Sequence, residues 1–157
     1  MASLDAYITE LTNFKNDLPK TVVKIGVRNE QHIVRLQNER HKNDGLDANG
    51  NLIGGGIYAQ RTIRDKIDKD QTISHVTLED TGAWHSDMFV SGKDMLEINN
   101  RNASLTSTLI SGGGKGENPP YLKDIIGLTE RETVYVAEYI IEPDIQKEID
   151  KLPNVID

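Results

Sequence analysis

The chain has no cysteine, which excludes a disulfide framework and any thiolate metal site. Aromatic residues make up only 5% of it and apolar residues 36%. A core must therefore be built mainly from aliphatic side chains, and part of the stability is expected to come from partners. Nowhere do enough apolar residues run together to cross a bilayer. The segment MASLDAYITEL lacks the basic region and apolar run of a signal peptide, so synthesis in the cytoplasm is expected. Basic charge is also short: 18 Lys and Arg stand against 25 Asp and Glu, a net charge of −7. Proteins held to DNA by phosphate contacts need clustered Lys and Arg, and none is present. Nucleic-acid and anionic-membrane binding are thus disfavoured. An acidic surface can still line a conduit through which DNA passes, since like charge keeps phosphates from adhering.

What is present reads as one α+β domain over residues 1–157. Leu4, Tyr7, Ile8, Leu11, Phe14 and Leu18 share one helical face after Ser3, a capable cap. The phase resumes beyond Pro19 as Val22, Ile25, Ile33 and Leu36. This predicts one long helix kinked at Pro19, or two abutting ones, ending near His41. The β-branched run TVVKIGV (21–27) leaves a strand as the alternative there. NDGLDANGNLIGGG (43–56) reads as a flexible Gly-rich loop, with a short ordered segment over 57–67. Val76 and Leu78 look strand-like. Met88–Val90 and Met95, Leu96 and Ile98 form a hairpin over 86–99 with its turn at Ser91-Gly92-Lys93. Leu105 and Leu109 suggest a short helix before a second flexible loop, SGGGKGENPP (111–120). IIGL (125–128) reads as a strand entering a helix capped by Thr129 and Glu132. Val134, Ala137, Ile141, Ile145, Ile149 and Leu152 form its apolar face, with a kink at Pro143 and a frayed tail from Pro153 to Asp157.

Each chemically suggestive cluster has a simpler account. With Gly50 at the sixth position of a calcium loop, Asp47 and Asn49 fall third and fifth. Gly45 and Gly56 then occupy the ends, where carboxylates are required; turn chemistry explains the motif better. In GGGKGE (112–117), Lys115 precedes Gly116 rather than Ser or Thr, which departs from the phosphate-loop pattern. His75, Asp80, His85 and Asp87 lie near one another in sequence, but their spacing matches no ligand pattern. Asp68/Asp70 and Glu79/Asp80 sit in polar runs, and no nucleophile elbow is found. Trp84 has a simple role in core packing and a sharper one as an anchor at a subunit interface.

Three segments in order resemble the phage virion-morphogenesis family of tail-completion and neck proteins, which act at the joint between head and tail. The first is GLDANGNLIGGGIYAQRTIRDKI (45–67), with Tyr58 and Thr62 at the matching positions. The second is TLEDTGAWHSDMFV (77–90), carrying Thr81 and Gly82. The third is IIGLTERE (125–132), carrying Gly127, Leu128 and Thr129. These residues would serve the fold: Gly82 for a tight change of direction, Gly127 for close passage of backbone. The insert SGGGKGENPP is longer and richer in glycine than the family pattern, so contacts there, Lys115 included, are expected to be particular to this particle.

The resemblance implies a structural subunit of the virion neck or tail, made in the host cytoplasm. It would form a homo-oligomeric ring, a head–tail connector contacting portal, neck or tail proteins, with DNA only in transit. It implies no cofactor and no catalytic residue. The alternatives are a metal-dependent hydrolase or nuclease using His75, Asp80, His85 and Asp87, and a soluble phage-encoded adaptor.

Overall fold

The computed structural model describes residues 4–58, 60–78, 82–101 and 122–152. The helix expected at Leu105–Leu109, the loop 111–120 with Lys115, the residues Ser3, Glu79, Asp80 and Thr81, and the tail from Pro153 lie outside them. The fold is α+β, with a long leading helix, a small antiparallel sheet and a closing helix.

Helix α1 spans Leu4–Arg28 and α2 spans Glu30–Asp44. The strand alternative for 21–27 is thereby excluded: those residues are helical. The expected kink also moves. The helix runs on through Pro19 and is interrupted at Asn29, with φ −101° and ψ 19°. Pro19 and Lys15 are both exposed, so water can take the carbonyl that a residue-19 N–H would have bonded. At Asn29 the side-chain amide donates to the Ile25 carbonyl at 2.9 Å, which satisfies the backbone at the break. Helix α2 runs a turn beyond His41 and ends on Gly45, whose left-handed backbone sends its N–H to the carbonyls of Arg40 and His41.

The segment 43–56 carries hydrogen bonds of its own. Leu46 bridges Leu52, Ile53 donates to the Gly45 carbonyl at 2.8 Å, and a 3₁₀ turn covers Ile53–Gly56. Helix α3 follows at Gln60–Asp68, then a single helical turn α4 at Ala83–Ser86. Val76 and Leu78 are buried as expected of strand residues, yet they pair with no strand among the described residues. Strands β1 (Met88–Gly92) and β2 (Leu96–Asn100) form the hairpin, with Val90 opposite Ile98. Its turn lies at residues 93–95, two residues later than expected, because Ser91 and Gly92 still pair with Glu97 and Leu96.

The hairpin packs against α1 at Gly26. A Cβ there would stand 2.2 Å from a methyl carbon of Leu96, so the Leu96 side chain would have to move to admit a larger residue.

The expected strand at 125–128 is not one. Leu122–Ile125 makes a helical turn, α5, and the chain then bends through Gly127. Thr129 caps α6 (Glu130–Val136) in the expected capping box with Glu132. A π turn at Ala137–Ile141 leads into α7 (Glu142–Ile149). Pro143 stands at the start of α7, and the wide turn before it takes up the misfit that a regular helix would express as a kink. The apolar face shifts accordingly. Val136, Ile140 and Ile141 are buried with Ile145 against them, whereas Val134 and Ile149 are exposed.

Candidate functional site

Helix α2 carries a polar edge into the interior. Gln37, Arg40 and His41 continue the face that begins with Ile33, and all three are buried. Gln37 accepts from the Gly127 N–H at 2.6 Å and donates to the Met88 sulfur at 3.3 Å. Arg40 donates to the carbonyls of Leu46 at 3.1 Å and Gly127 at 2.8 Å, and pairs with Glu132. Burial pulls the Arg40 pKa below its usual value, opposed by the Glu132 carboxylate; the guanidinium stays charged. One side chain thus joins the 43–56 segment, the bend at Gly127 and the start of α6. Gly127 has φ +135°, a conformation that favours glycine, and both of its backbone polar groups are held by α2.

His41 sends Nε2–H to the Ile125 carbonyl at 3.0 Å, which leaves Nδ1 as a bare acceptor with no partner. Burial, then the Arg40 charge, push its pKa down to about 3. It is a neutral, structural histidine. His85 lies 6.0 Å away between ring centroids. Its Nδ1 faces Asn38 Oδ1 at 2.9 Å and its Nε2 faces the Thr77 carbonyl at 3.0 Å. Tyr58 accepts the Thr77 N–H at 2.7 Å and lies under the Lys66 ammonium, 4.8 Å from ring centre. Thr62 is half-buried on α3, and Leu128 packs against the core. Gly82 has φ +83° with open space where a Cβ would stand, so its backbone angle, not crowding, calls for glycine.

The suggested metal cluster does not assemble among the described residues, where no three His, Asp or Glu side chains lie close enough to hold an ion. His75 sends its ring to the Lys42 carbonyl at 2.8 Å and to Ser74 Oγ at 2.9 Å, and both His85 nitrogens face oxygens. Residues 83–86 are helical, so the extended geometry that would put His85 and Asp87 on one face is absent. Asp47 is used by its own turn, accepting from the N–H groups of Asn49 at 2.9 Å and Asn51 at 2.8 Å. This is turn chemistry, as expected. Trp84 is 3% exposed within the core. It packs the interior and is not a surface anchor.

Exposed apolar side chains are spread along the chain, with Ile57 at 78% and Met95 at 71%, and two groups of them lie on helices. On the leading half of α1, Leu4, Ile8 and Leu11 are 61%, 52% and 43% exposed. They lie on the face that further along buries Ile25. On α6 and the π turn, Tyr135 and Tyr139 stack with centroids 5.0 Å apart, and Tyr139 is 67% exposed. His32 extends this aromatic row at 6.4 Å from Tyr135. Beside it a shallow groove of about 540 Å³ is lined by Arg28, Asn29, Gln31, His32 and Arg35. Sequence reading placed the α1 stripe and Val134 on apolar helix faces, and these side chains are exposed. It missed the tyrosine row, whose signal was the four-residue spacing of Tyr135 and Tyr139. Comparison with family models, curated proteins and solved structures found no match to the chain.

Proposed function

We propose that the chain is a structural subunit of a bacteriophage neck or tail, part of a ring-shaped head–tail connector or tail-completion assembly through which DNA passes. The observation that carries the reading is the exposed apolar face of α1, Leu4, Ile8 and Leu11, which among the described residues continues a core-forming stripe into solvent. Exposed contiguous apolar surface of this kind marks an interaction site. The order of the three family-like segments supports the same reading. The net charge of −7 suits a wall that DNA slides past without adhering.

The test is electron microscopy of intact particles carrying a labelled copy of the chain. Label at the head–tail joint is expected, with tailless or DNA-leaking particles when the gene is deleted. Normal particles without the chain would defeat the reading.

A further inference from the structure

Residues 72–75 follow α3 and carry a chain of hydrogen bonds that ends on the last turn of α2. His75 Nε2 faces the Lys42 carbonyl at 2.8 Å. A carbonyl only accepts, so Nε2 carries the proton and Nδ1 of the neutral ring is left as an acceptor. Ser74 Oγ lies 2.9 Å from that Nδ1, so the serine hydroxyl donates to the imidazole. Thr72 Oγ1 stands 3.0 Å from Ser74 Oγ. With the Ser74 proton already directed at His75, Thr72 is the donor of this pair, and each bond in the chain strengthens the next.

The arrangement sets a nucleophile against a base whose tautomer is fixed by a third group. The base is fixed in position as well. Its ring lies against the backbone of Gly45, where a Cβ would stand 2.7 Å from the ring carbon Cδ2. Lys42 is in the last turn of α2, and the negative end of a helix stabilises a positive imidazole. The imidazolium formed when His75 takes the serine proton is therefore favoured in place. Ser74 is exposed and His75 half-buried, so a reagent reaches the hydroxyl while the base is held from behind. Ser86 gives the contrast within the same chain. It is exposed too, but its hydroxyl donates to the Ala83 carbonyl at 3.1 Å, which is no base.

We propose that Ser74 is a site of covalent acylation, with an activated ester as the acyl donor and His75 as the general base. Ser74 Oγ bonds to the ester carbonyl carbon as its proton passes to Nδ1. The bond from that carbon to the leaving oxygen then breaks. The oxygen keeps the electron pair, and Nδ1 returns the proton to it or to water. The products are a serine ester on the chain and a free alcohol. This inference stands apart from the neck or tail reading, and neither depends on the other.

The experiment treats the full chain with p-nitrophenyl acetate and follows acetyl groups over time by peptide mass mapping. General-base assistance is typically worth about 10²–10⁴-fold, so Ser74 should be acetylated at least roughly 10²-fold faster than Ser86. Ser74→Ala should remove the fast phase of p-nitrophenol release. His75→Gln keeps a donor for the Lys42 carbonyl but is no base, and should bring Ser74 down to the Ser86 rate. Circular dichroism checks that this variant folds. In urea the wild-type preference for Ser74 should vanish. Acetylation of Ser74 no faster than of Ser86, or unchanged in folded His75→Gln, overturns the proposal. So does label found only on lysines, or a preference that survives in urea. If His75→Gln fails to fold, the comparison of Ser74 with Ser86 in native and urea-treated chain decides alone.

Discussion

Arg40 of α2 and Glu132 of α6 form an ion pair whose side chains are only 6% and 16% exposed. Glu132 also accepts the Thr129 N–H at 2.8 Å, closing the capping box. One carboxylate therefore completes a helix cap and neutralises a buried cation ninety-two residues away in sequence. The two roles separate by mutation. Thr129→Ala, which loses the cap alone, should lower stability by about 1 kcal/mol. Glu132→Ala strands the Arg40 charge as well and should lower it by about 3–5 kcal/mol. Urea unfolding measures both, and equal losses would show that the ion pair contributes nothing.

His41 should make stability fall in mild acid. Its pKa is depressed in the folded chain, to about 3 from an ordinary 6.5, so protons bind the unfolded state more readily. The stabilisation is fully present above pH 6.5 and is lost as pH falls toward 3, at about 1.4 kcal/mol per unit well inside that window. Subtracting the pH profile of His41→Leu from that of the wild type should isolate this slope. A difference that is flat between pH 6 and about pH 4.5 would mean that the buried ring is protonated in the fold.

Gly26→Ala sets helix propensity against crowding. Alanine favours a helix interior by about 1 kcal/mol, but its methyl would meet Leu96. Overpacking of this kind typically costs about 1–3 kcal/mol, so a net loss is expected. Paired with Leu96→Ala, the two losses should fall well short of additive. Strict additivity in a double-mutant cycle would show that the hairpin does not rest on Gly26.

Asp47 offers a check on the turn. Its carboxylate accepts two backbone N–H groups of its own segment, and Asp47→Ala should lower stability by about 1–2 kcal/mol. Millimolar Ca²⁺ should leave the melting temperature unchanged. A Ca²⁺-dependent rise that Asp47→Ala abolishes would restore the ion-binding alternative for this loop.

The features legible in the sequence were those set by near neighbours along the chain. The capping box needs only Thr129 and Glu132, and the hairpin only its alternating residues and turn. The leading helix shows in the spacing of its apolar face. Readings failed where distant contacts decide. The run 125–128 is apolar enough for a strand, but its Gly127 backbone is claimed by Gln37 and Arg40 of α2 instead of by a sheet. Val76 and Leu78 are buried as strand residues would be, without a ladder to join. The α1 stripe is legible as an apolar face, but its exposure is not, because periodicity reports a face and not what covers it. Gln37, Arg40 and His41 went unnoticed because polar residues on an apolar face break the pattern used to find it.

The π turn at Ala137–Ile141 has a consequence for how this helix tolerates change in length. Glu142 reaches back five residues to the Ala137 carbonyl, so the backbone holds one residue more than a regular helix would. That surplus residue is about 100° of rotation, enough to hand the core-facing position from the Val136–Ile140 pair to the Ile141–Ile145 pair. Deleting a single residue here would leave a straighter, more regular helix whose far half points the wrong way. The irregular turn works as a clutch, setting the angular alignment of everything after it.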